Sequence, residues 1–324
     1  MNPLRKFAAL LAPSLAVLCA PSHAQTIPDN KHMRIIVPYS AGGTSDILAR
    51  KLAQKLGEKM GRQVIVENKA GAGGTIGTHY VARNDPDGTT LLLHSGAIAT
   101  EPAIKAKLPY DVTKDLAAVT TVVRGPFALL VNNNLPVKTV PELIAYAKAN
   151  PGKVNYGTPG VGTSVHFASE YFKAAAKAPI SHVPYKGASA SLTALMGGEI
   201  QIVIDPLATA KKYAEAGKVR ALAVTTAQRT NLWPQMPTLS ESSTPGFDTA
   251  VWYGLYVPAK TPTAIVQKLN QEMVSILRSD DMRKWLSNEG LEPVADTPEQ
   301  SQAFLGKEIE RWKALAKSAG IQAE

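Results

Sequence analysis

Four glycine-containing loops hold the residues whose types and spacing could do chemistry. They lie at residues 40–45, 70–75, 94–96 and 157–164, each after a short apolar run. Three of them lead into a segment with helical periodicity. Backbone N–H groups at the start of a helix bind anions, because they have no carbonyl partner and lie at the positive end of the helix dipole. The pattern predicts sites for a small anion, although the glycines could also belong to turns that bind nothing.

Other kinds of site find little support in the sequence. Residues 71–77 are similar to a dinucleotide-binding fingerprint, but Ile76 replaces its third glycine and no acidic residue stands in a ribose-binding place. No serine lies in a G-x-S-x-G sequence. The histidines after the N-terminal segment show neither an H-E-x-x-H motif nor close pairing. We therefore expect no cofactor, no metal and no nucleophilic triad.

Two polar side chains near these loops have alternative roles. Asp205 follows an apolar strand and precedes Pro206, so it could accept a hydrogen bond from a ligand ammonium or hydroxyl group, or cap the next helix. His166 could bond to its own loop or, in an enzyme, act as a base. Trp252 and Tyr253 are expected in the core rather than stacked on a ligand.

The N-terminus has the pattern of a cleaved secretory signal. Arg5 and Lys6 precede an apolar run over residues 7–20, and the small residues that follow predict cleavage after Ala24. This run is too short to span a membrane well. We expect a periplasmic protein. Its single cysteine, Cys19, leaves with the signal, so the mature chain is expected to contain no disulfide and no cysteine-based metal site.

The charge pattern bears on possible partners. The chain has 35 Lys and Arg against 26 Asp and Glu, a formal net charge of +9. The basic residues are scattered singly and are not interleaved with aromatic residues, so we do not expect a nucleic-acid partner. A basic secreted protein that handles small anions fits this composition better.

Strands alternate with helices along the chain, which predicts an α/β fold with mainly parallel sheets. The first unit is a strand at residues 35–37 and a helix with Ile47, Leu48, Leu52 and Leu56 on one apolar stripe, capped by Thr44 or Ser45. Capping boxes are predicted to open helices after residues 139 and 297. Residues 119–131 read as two extended pieces broken at Gly125-Pro126.

The four loops and Asp205 all lie at the carboxyl ends of predicted strands, where open α/β sheets bind their ligands. They form two clusters, one before residue 125 and one over residues 153–206, which predicts two lobes that face each other across a cleft. We expect residues 25–124 and 249–324 in lobe 1 and residues 125–248 in lobe 2. The hinge crossings are then Gly125-Pro126 and the stretch before Trp252.

An ordered set of motifs carries a family resemblance over nearly the whole mature chain. The motifs include AGGTSD at residues 41–46, NKAGAGGTIG at 68–77, PDGT at 86–89, HVPYKG at 182–187 and WYGL at 252–255. Residues 156–166 and 197–205 match as well. The chain resembles the substrate-binding receptors of tripartite tricarboxylate transporters, the Bug or TctC-like family. Ser40-Ala41 stands where this family often has two prolines, which affects the shape of the first loop.

The resemblance implies a type II periplasmic-binding-protein fold that closes on a small carboxylate and delivers it to the membrane subunits of a transporter. It implies a monomer that performs no chemistry. A secreted two-lobed enzyme with His166 or Asp205 as base, and a ligand-binding sensor, remain alternatives. The candidate ligand-binding residues are Tyr39, Gly42, Gly43, Thr44, Asp46, Gly73, Gly74, Thr75, Ser95, Thr158, Gly160, Thr163, Ser164, His166 and Asp205.

Overall fold

The computed structural model describes residues 26–105, 107–185 and 187–321, so the predicted signal peptide lies outside the described residues. The strands are β1 Met33–Val37, β2 Val64–Asn68, β3 Thr90–Ser95, β4 Leu116–Val131, β5 Asn155–Thr158, β6 Ser181–Pro184, β7 Ile202–Pro206, β8 Arg220–Val224, β9 Ala250–Pro258 and β10 Glu292–Pro293. The helices are α1 Thr44–Met60, α2 Thr75–Ala82, α3 Ala97–Ile104, α4 Val140–Ala149, α5 Ser164–Ala176, α6 Ala188–Gly197, α7 Leu207–Glu215, α8 Leu239–Ser242, α9 Thr263–Leu277, α10 Asp280–Asn288 and α11 Pro298–Ala319. No helix in these ranges is long and apolar enough to cross a bilayer.

The strands form two sheet regions that share β4. Their order is β2-β1-β3-β9-β4 on one side and β4-β7-β5-β6 on the other, with β8 and β10 also paired to β4. The outer strands are parallel, as expected, but every pairing of β4 and β9 is antiparallel. The expectation of mainly parallel sheets is therefore wrong for the centre of the molecule. The chain leaves the first sheet along β4 and returns along β9, so these two strands run in opposite directions.

Strand β4 is continuous, so the break expected at Gly125-Pro126 is wrong. Residues up to Pro126 pair with β9, and residues from Phe127 onward pair with β7 and β8. Gly125 is needed for close packing: a Cβ there would lie 2.6 Å from the carbonyl oxygen of Gly290. Extended backbone also suits proline, whose φ is fixed near the strand range. The Gly-Pro pair marks a change of sheet within one strand.

The chain returns to the first sheet near Thr249. The amide of Thr249 donates to the carbonyl of Thr225 at 3.0 Å, and the Thr225 hydroxyl donates to the carbonyl of Thr249 at 2.8 Å. This contact ties the end of β8 to the start of β9. These hydrogen bonds fix the second connection between the sheet regions at its start.

Each sheet region buries apolar side chains on both faces. Helices α1 and α9 cover one face of the first region around Leu48, Leu91 and Leu269. The other face packs against α11, whose Trp312 meets Phe167 of α5 at a ring-centroid distance of 5.4 Å. Burial of this apolar surface is the main favourable term in folding. Helix α11 thus packs on elements of both regions.

The first helix begins differently from the sequence expectation. Gly43 is its N-cap and no side chain caps it, so the predicted cap by Thr44 or Ser45 is wrong. The helix already includes both residues in its first turn. The predicted apolar stripe holds for Leu48 and its successors, but Ile47 is 45% exposed. By contrast, the capping box formed by Thr297 and Gln300 at the start of α11 is complete, as predicted.

Candidate ligand-binding cleft

The first three loops lie together at one edge of the first sheet region, because β2, β1 and β3 are parallel neighbours. Tyr39 links the three loops. Its carbonyl accepts a hydrogen bond from the Asn68 side chain at 3.1 Å, and its hydroxyl is 2.9 Å from the Ser95 hydroxyl. The same hydroxyl lies 3.5 Å from the position of a Cβ on Gly74. The structure therefore brings Tyr39, Ser95 and the second glycine loop together.

Within the first loop, Asp46 is occupied by partners in the protein. Its carboxylate accepts from the amide of Gly42 and from the Arg50 guanidinium, each at 3.0 Å. The hydrogen bond from Arg50 is the largest cause that lowers the pKa of Asp46. The first-turn amides at Thr44 and Ser45 have no carbonyl partner within the helix, as at any α-helix N-terminus. These amides, more than Asp46 or the Gly42 amide, are free to bind an anion.

The second glycine loop has an uncommon backbone. Gly71, Ala72, Gly73 and Gly74 have φ values of 136°, 48°, 66° and 111°, a run of positive values that glycine tolerates and alanine does not favour. A Cβ on Gly74 would lie only 3.0 Å from both the Glu101 and the His94 side chains, so only glycine fits there. The chain then enters α2 at Thr75.

Lys105 is a residue of this region that the sequence analysis missed. Its ammonium donates to the carbonyl of Ala72 and to the Thr75 hydroxyl, each at 2.7 Å. Lys105 is the C-cap residue of α3, a helix that contains Pro102 and is absent from the sequence expectations. The sequence signal that could have indicated Lys105 is its position four residues after Glu101, a spacing that is typical of an ion pair on a helix.

The loop after β5 is held by its own hydroxyl and imidazole groups. Thr163 is the N-cap of α5, which begins at Ser164, and the Thr163 hydroxyl donates to the carbonyl of Gly160 at 2.9 Å. The Thr158 hydroxyl is 2.7 Å from Nε2 of His182. The amide of Gly162 donates to Nδ1 of His166 at 3.2 Å, which confirms the bond between His166 and its loop. Burial, more than the neighbouring His182, lowers the pKa of His166 to about 4.

Asp205 lies near the carboxyl end of β7 with an unusual environment. It is 1% exposed, and its Oδ2 has no hydrogen-bond partner among the described residues. Burial raises its pKa to about 7. Helix α7 begins after Pro206 with no side-chain cap, so the alternative that Asp205 caps this helix is wrong. In register, Asp205 lies one residue beyond the level of Thr158 on the neighbouring strand.

Helix α3 of the first sheet region and the loop after β5 touch across the cleft. The Thr100 hydroxyl of α3 lies 3.3 Å from the carbonyl oxygen of Gly162 and 3.1 Å from that of Ala97, so it can donate to either. A Cβ on Gly162 would lie 2.5 Å from Cδ1 of Ile104, so the two surfaces pack closely at this point. The sequence therefore placed the candidate residues in two groups, and the structure shows that the elements bearing them are neighbours in space.

Comparison with known proteins identifies the family. Residues 48–321 match the family model described as the tripartite tricarboxylate transporter family receptor. The chain belongs to this family. It is 33% identical to protein BugT of Bordetella pertussis over 309 residues, covering 95% of this chain and 94% of BugT. It is 35% identical over 314 residues to a UPF0065 protein encoded in the gbd 5′ region of Cupriavidus necator, covering 97% and 95% of the two chains.

Solved structures of similar proteins have the same architecture. Rpa4515 of R. palustris, solved with adipate, is 36% identical and superposes with a TM-score of 0.79 over 91% of this chain and 99% of that one. MatC of Rhodopseudomonas palustris, with bound malate, is 28% identical, with a TM-score of 0.74 over 89% and 99%. The periplasmic binding protein BugD is 31% identical, with a TM-score of 0.76 over 91% and 99%.

These likenesses settle the class of protein. The chain has the two-lobed α/β fold of type II periplasmic binding proteins, and members of the tripartite tricarboxylate transporter receptor family are periplasmic solute-binding receptors. The protein is a receptor of this family and not an enzyme, so the alternative in which His166 or Asp205 serves as a catalytic base is wrong.

Proposed function

We propose that this receptor binds a small carboxylate in its cleft and delivers it to the membrane subunits of a tripartite tricarboxylate transporter. The observation that carries the proposal is that the N-termini of α1 and α2 follow adjacent loops at one sheet edge, where Tyr39 links them. The adipate bound to Rpa4515 and the malate bound to MatC support a carboxylate as the ligand. Helix N-termini bind a carboxylate without the desolvation that a buried lysine or arginine would require.

One ligand carboxylate is proposed to bind to the amides of Gly43, Thr44 and Gly73 and to the hydroxyls of Thr44 and Thr75. The amides of Gly74 and Thr75 donate to the carbonyls of Gly71 and Ala72, so these two amides shape the second loop. Tyr39 and Ser95 complete this wall through their shared hydrogen bond. Asp46 and Gly42, which bind each other, hold the first loop in shape. The opposite wall is proposed to consist of Asp205 and of the residues after β5, namely Thr158, Gly160, Thr163, Ser164 and His166.

We place the mature protein in the periplasm, after cleavage between Ala24 and Gln25, as a monomer. Residues 25–124 and 249–324 are proposed as lobe 1, and residues 125–248 as lobe 2. The change of partner of β4 between Pro126 and Phe127, and the contact between Thr225 and Thr249, support these boundaries. Both crossings lie between the two sheet regions, where a hinge has to be.

The ligand class is tested by thermal-shift screening of the mature protein against monocarboxylates, dicarboxylates and aromatic carboxylates. A ligand present at 100 times its dissociation constant is expected to stabilise the protein by about 2.7 kcal/mol. The amides of each acid serve as matched controls, because they keep the carbon skeleton and lose the charge. A carboxylate receptor would be contradicted if the amides stabilised the protein as strongly as the acids, or if none of the acids stabilised it.

Ligand binding is expected to reduce the radius of gyration, because the two proposed lobes rotate about the crossings at β4 and β9 and close on the ligand. Small-angle X-ray scattering of the mature protein, with and without a carboxylate identified by the screen, measures this change. A carboxylate that fails to bind in the screen is the control for solvent contrast. An identical radius with saturating ligand would argue against hinge closure.

A further inference from the structure

The side chain of Lys105 reaches from the end of α3 to the second glycine loop. Its ammonium bonds to the carbonyl of Ala72 and to the Thr75 hydroxyl, and lies 3.3 Å from the position of a Cβ on Gly73. The side chain is 22% exposed, so most of it is enclosed by the protein. Lys105 is therefore a cation built into the loop that begins α2.

The backbone that Lys105 contacts needs stabilisation. Ala72 has a φ of 48° within the run of positive values at residues 71–74. A left-handed conformation is less favourable for an L-residue than its preferred regions, because its Cβ comes too close to the following carbonyl oxygen. A charge-assisted hydrogen bond to the Ala72 carbonyl offsets this cost. The bond to Thr75 fixes the same cation to the first residue of α2, so Lys105 connects both ends of the strained turn.

A buried acid holds Lys105 in place. Oε1 of Glu101 lies 3.6 Å from the Lys105 ammonium, and the Glu101 side chain is 4% exposed. The other oxygen, Oε2, accepts a hydrogen bond from the Tyr110 hydroxyl at 2.6 Å. Nε2 of His94 is 3.9 Å from Oε1, and burial lowers the pKa of this imidazole, which keeps it neutral. Withdrawal of Lys105 would leave the Glu101 carboxylate buried without a counterion, which is costly.

We propose that Lys105 is a positioning residue of the ligand site: it locks the second glycine loop in its left-handed form and adds positive potential where the Gly73 amide and the Thr75 hydroxyl meet the ligand carboxylate. The part that concerns the ligand rests on the proposed function, whereas the part that concerns the loop does not. The two parts therefore need separate measurements.

The loop is tested by hydrogen–deuterium exchange of the ligand-free mature protein. In Lys105→Met, amide exchange over residues 71–78 is expected to be at least tenfold faster than in the wild type, and Lys105→Arg is expected to recover most of the protection. Lys268→Met is the matched control, since Lys268 pairs with an acidic partner four residues away on α9, Glu272, and the substitution removes the same charge. Equal exchange over residues 71–78 in wild type and Lys105→Met would overturn the proposal.

Ligand binding is tested by calorimetric titration with adipate at low and high salt. Lys105→Met is expected to bind at least tenfold more weakly than the wild type and to depend less on salt, because one cation has been removed from the site. Lys105→Arg is expected to bind within a few-fold of the wild type. Wild-type affinity and wild-type salt dependence in Lys105→Met would overturn the electrostatic part. If the wild type binds no adipate, the titration is made with the carboxylate that gives the largest shift in the thermal screen. A screen without any binding acid would count against the proposed function, while the exchange result would still decide the role of Lys105 in the loop.

Discussion

Replacing Asp205 by Asn is expected to raise the free energy of unfolding of the ligand-free protein by roughly 4 kcal/mol at pH 8, and by less than half of that at pH 5. Burial raises the pKa of Asp205 from 3.8 to about 7, and its Oδ2 has no hydrogen-bond partner among the described residues. Ionisation of this carboxyl group is therefore less favourable in the folded protein than in the unfolded chain. Asparagine has a similar shape and never ionises.

The direction of the pH effect follows from the raised pKa. A carboxyl group whose pKa is raised in the folded protein contributes stability that is fully present below its pKa in the unfolded chain. For Asp205 this stability is lost as the pH rises through about 7. His94 and His166, which are buried, and the half-buried His182 act in the opposite direction, because burial lowers their pKa values and stability is lost as the pH falls. Comparison of wild type and variant at each pH cancels these histidines and isolates Asp205.

Urea unfolding at pH 5 and pH 8, followed by circular dichroism, measures the difference. Asp85→Asn is the matched control, since the Asp85 side chain is 78% exposed and the substitution makes the same change in charge. The control is expected to change stability by less than about 0.5 kcal/mol at either pH. If Asp205→Asn changed stability equally at both pH values, Asp205 would not be an unfavourably buried acid.

The second large effect concerns ligand affinity. If the ligand carries an ammonium or hydroxyl group that reaches Asp205, Asp205→Ala is expected to weaken binding by about 1.5–3 kcal/mol, the range for a charge-assisted hydrogen bond. For a plain diacid, Asp205→Ala is expected to cost less affinity, because the second carboxylate of the ligand contacts Asp205 only through water or points away from it. Calorimetric titration at pH 8, above the raised pKa of Asp205, compares malate, which carries a hydroxyl group, with adipate, which does not.

Asp205→Asn distinguishes the polarity of the contact. If a ligand ammonium group binds the carboxylate, both Asp205→Asn and Asp205→Ala lose affinity. If the ligand presents an oxygen to protonated Asp205, the asparagine amide can donate in its place, and wild-type affinity falls as the pH rises through about 7. Unchanged affinity in both variants would remove Asp205 from the ligand site and leave the glycine loops as its main component.

The sequence alone was sufficient for the features that depend on neighbouring residues. The strand, glycine loop and helix at the start of the chain, the capping box of α11 and the bond of His166 to its own loop all depend on residues a few positions apart. Such local patterns act through backbone propensity and first-turn hydrogen bonds, which can be predicted from a single segment of sequence. The order of the motifs along the whole chain then pointed to the family.

Only the tertiary structure decided which polar groups are occupied and which remain without a partner. Strand pairing leaves Oδ2 of Asp205 buried and without a hydrogen-bond partner in the part of the chain that the structure describes. The contact from Lys105 to Ala72 spans 33 residues, and that from Thr100 to Gly162 spans 62. Burial, hydrogen-bond partners and pKa depend on groups that are distant in sequence and adjacent in space, so these properties of the site arise only in the folded chain.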